Sequence, residues 1–448
     1  MRFPDLVRRW HMTDRPSRLS PLAIAAAALF AVTACGITQG QTTPTKNDPG
    51  ITGDTITIGT TTPLSGPASF YAPVSKGANA YFQYINASGG INGRKIKYVI
   101  YDDAYDPAKA VPLTHQLVDQ DQVFAVVGQL GTPINTATRP YLNQQKVPHI
   151  FVATGATKWG AEYKDFPWTI GLQPDYQSEA RVYAKDIIKN HANAKIGILY
   201  QNDDFGKDYV KGLTDGLGSN AGWIVSTQSY EATSVEVSSQ VAALKDKGVD
   251  LLLIAAIPTQ AISAMKTVTR LNWKPTIYIT NVSASTINTK AVIDAGGGAT
   301  INGMTSTFYG KDVNDPRWAN DPVIAMYKQV LSQYCTPQPC NPVDATYASG
   351  MGSAWLVVRL LTNLGRDGVT RAGLMKAVRN MNFKACPDPN PSSVDKLATG
   401  TCDPWLFPGL SIKTGGDNQW PITQLAPGHF NTARKNWDID YSTVIAAR

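Results

Sequence analysis

The sequence predicts an α/β protein of two similar lobes, each built on a parallel sheet. Stretches of strand character alternate with stretches of helical period, which is the rhythm of βαβ units. Short runs without a polar break, such as Val-Phe-Ala-Val-Val at 123–127, suit strands buried on both faces. The same rhythm restarts after Gln173-Pro174-Asp175, giving two successive units of roughly 120 residues.

Taken in order, residues 55–61 alternate as a strand, and 71–86 follows at helical period up to a Gly89-Gly90 stop. A strand at 95–101 precedes a helix opened by Asp106-Pro107, with proline in its first turn, running to about Asp119. The strand at 123–127, a loop, a helix and a strand at 149–152 complete the first unit. The second unit reads helix 177–190, strand 195–200, helix 207–217 and strand 223–229, then helix 237–245, strand 250–255, helix 260–271 and strand 276–280. Beyond about Met304, helices at 321–334, 347–364 and 371–381 lead to a Pro-, Gly- and aromatic-rich tail at 405–437, expected as short strands in a hairpin. A third segment too helical for a sheet of its own should pack back on the first two, which requires more than one crossing between lobes. The expected division is 54–173 with about 304–375 in the first lobe, and 174–303 with about 376–448 in the second.

The N-terminus fixes an expected compartment. Arg2, Arg8, Arg9, Arg15 and Arg18 form a basic flank, 22–32 is an apolar run too short to span a bilayer, and Val32-Thr33-Ala34-Cys35 resembles the lipobox of bacterial lipoproteins. Residues 1–34 are thus expected to be a lipoprotein signal peptide, with Cys35 lipidated and the mature protein held at the outer face of the cytoplasmic membrane. Met12 also serves as a start, since it keeps Arg15 and Arg18 ahead of the apolar run. Residues 35–53 are polar and aperiodic, as expected of a flexible tether.

Composition narrows the function classes. The formal charge is +7, but five Arg against two Asp in residues 1–34 leave about +4 for the rest, with Lys and Arg scattered among acids. No nucleic-acid footprint is present. Four further cysteines are Cys335, Cys340, Cys386 and Cys402, in Pro-rich polar stretches. Four cysteines allow three connectivities, and the short separations favour Cys335–Cys340 and Cys386–Cys402. A zinc site is disfavoured because the spacing is not that of paired ligands and His429 alone lies downstream.

Catalytic machinery is not legible. The chain lacks a GxSxG elbow, an HExxH helix and a phosphate loop; Gly206-Lys207-Asp208 has no hydroxyl after the lysine. His149, after Pro148 at a strand start, reads as a packed residue rather than a base. A binder is expected, not an enzyme, with no cofactor and no metal.

Binding sites in parallel α/β sheets lie outside the carboxyl ends of the strands. The loops there are rich in hydroxyls and glycine: Pro63-Leu64-Ser65-Gly66-Pro67-Ala68-Ser69-Phe70-Tyr71, Gly128-Gln129-Leu130-Gly131-Thr132-Pro133 and Ala153-Thr154-Gly155-Ala156-Thr157-Lys158-Trp159. Each brings donors to the start of a helix, which suits an anionic group such as a carboxylate.

These residues also carry a resemblance. Pro63-Leu64-Ser65-Gly66-Pro67, Ile85-Asn86-Ala87-Ser88-Gly89-Gly90-Ile91-Asn92-Gly93-Arg94, Asp102-Asp103-Ala104-Tyr105-Asp106-Pro107, Val126-Val127-Gly128, Gly155-Ala156-Thr157 and Asn202-Asp203-Asp204-Phe205-Gly206-Lys207-Asp208 occur in order. Over about 54–364 the chain resembles the type I periplasmic binding proteins related to the leucine/isoleucine/valine-binding protein. The resemblance implies two Rossmann-like lobes joined by a three-strand hinge and closing on a small molecule. It also implies delivery to an ABC permease with its ATPase, and a monomer is expected. A sensor passing ligand occupancy to a receptor is the alternative on the same fold.

Carried over by position, Thr132 matches the hydroxyl that binds a ligand carboxylate, and Gly155 and Thr157 match groups that hold an amino acid head. Phe205 stands at an aromatic position of the second lobe, and Phe70 and Tyr71 lie in the first-loop region. Ser65, Gln129, Leu130, Trp159 and Asn281 complete the expected ligand-binding set. The departures bear on the ligand. The loop where amino-acid binders place a glutamate reads Asn281-Val282-Ser283-Ala284-Ser285, and the preceding loop has Ile257 where an aromatic is common. Burying an ammonium without a counter-charge costs several kcal/mol. The expected ligand is therefore a small carboxylate with an apolar or aromatic body, unless Asp203 or Asp204 reaches the cleft.

Overall fold

The computed structural model describes residues 48–387 and 402–448. Cys35, the leader and most of the tether lie outside the described residues.

The first sheet comes from β1 (Thr55–Thr62), then α1 (Ala72–Ala87), β2 (Lys95–Asp102), α2 (Pro107–His115), β3 (Ala125–Val127), α3 (Thr132–Gln144), β4 (His149–Val152), α4 (Lys158–Ala161) and β5 (Thr169–Gly171). Its strand order is β2-β1-β3-β4-β5, all parallel. β3 and β4 are buried along their whole length, which explains their unbroken apolar sequence, whereas β2 alternates at the edge. His149 is fully buried, its Nδ1 sits 3.3 Å from Thr169 Oγ1, and burial pushes its pKa down to about 3, so it is neutral and structural.

The chain then builds α5 (Tyr176–Asn190), β6 (Ile196–Gln201), α6 (Asp204–Leu217), β7 (Ile224–Tyr230), α7 (Ser238–Asp246), β8 (Leu251–Ala255), α8 (Pro258–Arg270) and β9 (Thr276–Ile279). α9 (Thr286–Ile293), α10 (Gly298–Ile301) and β10 (Thr305–Phe308) follow. Asp175 and Asp203 start α5 and α6 by accepting from the Ser178 and Gly206 amides.

The return segment holds α11 (Pro322–Tyr334), α12 (Thr346–Leu364), α13 (Arg371–Val378), β11 (Asn382–Lys384) and β12 (Ser411–Lys413). The chain ends in β13 (Gln424–Asn431), β14 (Asn436–Ile439) and β15 (Ile445–Ala446). The second sheet runs β14-β13-β10-β9-β8-β6-β7, with β15 also paired to β13.

The expected lobe boundaries shift at two points. β10 pairs in parallel with β9 and antiparallel with β13, so 305–308 belongs to the second sheet rather than the first lobe. The described residues of 376–387 and 402–423, expected in the second lobe, pack on the first: Arg379 donates to the carbonyls of Pro167 and Thr169, and Trp420 Nε1 donates to Thr157 O at 3.0 Å. Sequence pattern does not reveal this, because a short strand joins whichever open edge it reaches. Three crossings therefore join the sheets, near 172–175, 309–311 and 422–423.

α12 seats the return segment on the first sheet by crossing α1 at glycines. A Cβ at Gly77 would collide with Tyr347 O, and one at Gly350 with Val74 O. Both disulfides form as paired in the sequence analysis, Cys335–Cys340 and Cys386–Cys402, with Cα separations of 6.3 and 4.8 Å. No helix among the described residues is long and apolar enough to cross a membrane.

Candidate functional site

The carboxyl ends of both sheets face one another, and the loops there enclose a cavity of about 290 Å³. From the first sheet come Phe70 and Tyr71 after β1, Leu130 and Thr132 after β3, and Ala153 and Thr154 after β4. The second contributes Phe205, Ile257, residues of the 281–285 loop and the first turn of α9. All three crossings contribute as well, through Leu172 and Gln173, Tyr309 to Lys311, and Ile422.

The lobes are closed on each other. Tyr71 OH donates to Val282 O at 3.1 Å and Thr259 Oγ1 to Pro67 O at 2.6 Å. Lys158 pairs with Asp204 at 2.5 Å, and the Thr157 amide donates to Asp208 Oδ2 at 2.7 Å.

Six of the expected ligand residues line the cavity: Phe70, Tyr71, Leu130, Thr132, Phe205 and Asn281. The other five are occupied elsewhere. Ser65 donates to Asp102 at 2.6 Å on the outside of the first loop. Gln129 is fully buried and joins Thr61, Thr114 and Thr138. Gly155 lies under the first crossing, where a Cβ would come within 2.5 Å of Pro174 O. Thr157 Oγ1 donates to Asp175 at 2.9 Å, so this residue ties the lobes rather than lining the cavity. Trp159 packs with Val152 and Ala156 and lies 5.2 Å from the Arg139 guanidinium. The loop after β4 thus meets the cavity two residues earlier than its sequence match, through Ala153 and Thr154.

Polar groups line the cavity in two places, the hydroxyl pair of the first lobe and a charged set of Lys311, Asp312, Asp344 and Asp403 from the return segment. Thr132 and Thr154 hydroxyls lie 2.5 Å apart, and Thr154 Oγ1 is 3.4 Å from Tyr176 OH. Thr132 opens α3, which has Gly131 at its N-cap, φ 101°, and no side-chain cap. Around them stand aromatic rings: Tyr176 meets Phe205 edge-on at 4.8 Å. Phe151 adds another from β4, where a register shift and a φ of 54° re-aim the chain toward the cavity.

Asp203 and Asp204 are both spent: Asp203 caps α6 and accepts from Gln201 at 2.7 Å, and Asp204 pairs with Lys158. The acid nearest the Asn281 loop is Glu179, from the first turn of α5. It is fully buried, accepts the Asn281 amide at 2.8 Å and meets Tyr183 OH. Burial pushes its pKa up to about 7, outweighing the hydrogen bonds that favour the charged form. Sequence reasoning missed Glu179, Thr154 and Tyr176. The first-turn position of Glu179 on an amphipathic helix carries no signal that its carboxyl turns inward. Among the described residues no group of three or more His, Cys, Asp or Glu could hold a metal ion.

Two α/β lobes, one with a parallel and one with a mixed sheet, joined by three crossings and closing on a mainly apolar cavity, define a two-lobed solute-binding protein. The chain belongs to the periplasmic binding protein family, whose model matches residues 55–401. The family is one of binding proteins, not enzymes. The Leu/Ile/Val/Thr-binding protein of Salmonella typhimurium is 28% identical over 201 residues, covering 44% of this chain and 54% of that protein. The chain thus spans about half the length of the curated relatives it matches. Among solved structures, a branched chain amino acid ABC transporter from Thermus thermophilus with bound valine superposes with a TM-score of 0.70 at 16% identity, covering 88% of this chain and 97% of the other. A fatty acid ABC transporter substrate-binding protein from Thermomonospora curvata gives 0.67 at 21% identity, covering 88% and 93%. At identities of this size the superpositions establish the shared fold alone.

Proposed function

We propose that this chain is an extracytoplasmic lipoprotein that captures a small carboxylate with an apolar or aromatic body and delivers it to an ABC permease. The observation that carries this reading is the pairing of Thr132 and Thr154 at the uncapped start of α3, beside the rings of Phe70, Tyr71, Phe151, Tyr176 and Phe205 in the same cavity. Hydroxyls and a helix N-terminus favour an anion, and the apolar walls favour an uncharged body. Asn281 and Ile257 stand in the second-lobe wall. Glu179, held against the Asn281 amide and Tyr183, is not among the lining groups; the acids that line the cavity are Asp312, Asp344 and Asp403, each already accepting backbone amides of its own loop, from Asn314, Thr346, and Trp405 with Leu406. The amino acids and fatty acid named for the relatives share the carboxylate and the apolar body. Delivery to a permease is supported by the transporter names of the structural relatives. Membrane tethering through Cys35 is supported by the lipobox-like sequence.

A thermal-shift screen of the purified protein against alkanoic acids, benzoates, keto acids and branched-chain amino acids tests the ligand class. Stabilisation by acids that lack an amino group is expected; stabilisation by amino acids alone overturns the reading. Loss of uptake of the stabilising acid in a deletion strain tests delivery.

A further inference from the structure

The cavity does not end at the loops that carry the hydroxyls. It continues along the three crossings into an annex walled by Trp405, Leu406, Ile412 and Ile422 of the return segment, with Phe308 at the end of β10 and Leu172 at the first crossing; the charged groups at its border are engaged, Asp403 by the Trp405 and Leu406 amides, Asp312 by the Asn314 amide and Lys311 by Asp321. The four return-segment residues are each at least nine-tenths buried. α12 borders the same space with Gly352 and Ser353, and a Cβ on Gly352 would sit in ordinary contact with Trp405, 3.4 Å away. Trp405 Nε1 is buried without a hydrogen-bond partner. The whole cavity, at about 290 Å³, is about twice the size of one that holds benzene.

We propose that this annex is a tail subsite, and that the ligand is an unbranched monocarboxylate of medium chain length. The inference rests on the reading of the cavity as the ligand site. A carboxylate at Thr132 and Thr154 leaves the annex for the body of the ligand. A branched-chain amino acid, head group included, is larger than benzene, but its side chain is shorter than a medium-length unbranched chain and leaves the far part of this volume empty. A longer chain fills it and displaces the cavity's cost in lost contacts. It also touches residues at all three crossings, so its length is read where the lobes hinge.

The test measures binding of butanoate through decanoate to the full mature protein by calorimetry. A parallel series of primary amides, butanamide through decanamide, is measured alongside. Affinity is expected to rise about threefold to fourfold per added methylene until the annex is full. Gly352→Leu projects a side chain into the annex while favouring the helix, and should cost decanoate tenfold or more with butanoate unchanged. Ser353→Phe is the second filling variant if the first does not fold. Equal affinity for short and long acids in the wild type, or equal losses for both in the folded variant, overturns the tail subsite. If only the amides show the length dependence and its loss on filling, the annex stands and the carboxylate reading falls. If neither series responds to length, the annex itself is refuted.

Discussion

The backbone N–H of Thr157 in the first lobe donates to Asp208 Oδ2 on α6 of the second at 2.7 Å, so a residue in a ligand-binding sequence motif serves here to hold the lobes together. Asp208 also accepts from Gln177 at 2.6 Å, and Thr157 Oγ1 reaches Asp175 at the first crossing. The latch and the ligand groups are therefore separate residues of neighbouring loops.

Substitutions should split along that line. Thr132→Ala is expected to weaken ligand binding by about 1–3 kcal/mol through a lost carboxylate hydrogen bond. Asp208→Ala removes the acceptor of two donors and should shift the unliganded protein toward an open form, seen as a larger radius of gyration by X-ray scattering. Calorimetry on Thr132→Ala that matches wild type would remove this residue from the site. An unchanged scattering profile for Asp208→Ala would remove the latch.

Glu179 makes stability pH-dependent in a definite direction. Its folded pKa, raised from 4.5 to about 7 by burial, means the folded state holds a proton that the unfolded state has released between those values. Stability from this group is complete below about pH 4.5 and is lost as pH rises to about 7, by about 3 kcal/mol. Asp203 and Asp403, raised to about 6, act in the same sense, and His149, lowered to about 3, in the opposite one. Only a difference curve isolates Glu179. Relative to wild type, Glu179→Gln should gain stability progressively from pH 4.5 to 7; parallel denaturation curves across that range would refute the assignment.

The two disulfides differ in the loops they close, with sequence separations of 5 and 16. On the chain-entropy account, Cys386→Ser with Cys402→Ser should cost about 3 kcal/mol, and Cys335→Ser with Cys340→Ser about 2 kcal/mol. Urea unfolding of each double variant measures this. The order should persist whether or not the ligand is present, since neither bridge touches the hydroxyl pair.

Cys35 lies outside the described residues and is tested in cells. Cys35→Ser should abolish fatty-acyl labelling and leave the protein in the soluble extracytoplasmic fraction. Retention in the membrane fraction would mean that another feature holds it there.

Local pattern made most of the elements legible. β3 and β8 are unbroken apolar runs because both faces are covered, and α5 and α6 begin at aspartates that cap them. Loop sequence also placed Thr132, Tyr71 and Phe205 at the cavity, since strand ends in such sheets converge on one cleft. Gly155, Thr157 and Trp159 do not line the cavity, and a register shift at Phe151 alters which part of the following loop turns inward. Ser65 and Gln129 were drawn off by Asp102 and Thr61, partners 37 and 68 residues away in the chain.

By itself, the sequence determined the alternation of strands and helices, the pairing of its cysteines and the family, because each depends on residues near one another in the chain. Tertiary structure alone decided where β10 pairs, which hydroxyls face the cavity, that Glu179 is buried behind Asn281, and that the return segment lays Trp405 and Ile422 along the hinge. Those facts depend on contacts between residues from 22 to more than a hundred positions apart, and no local periodicity encodes which distant surface a segment will cover.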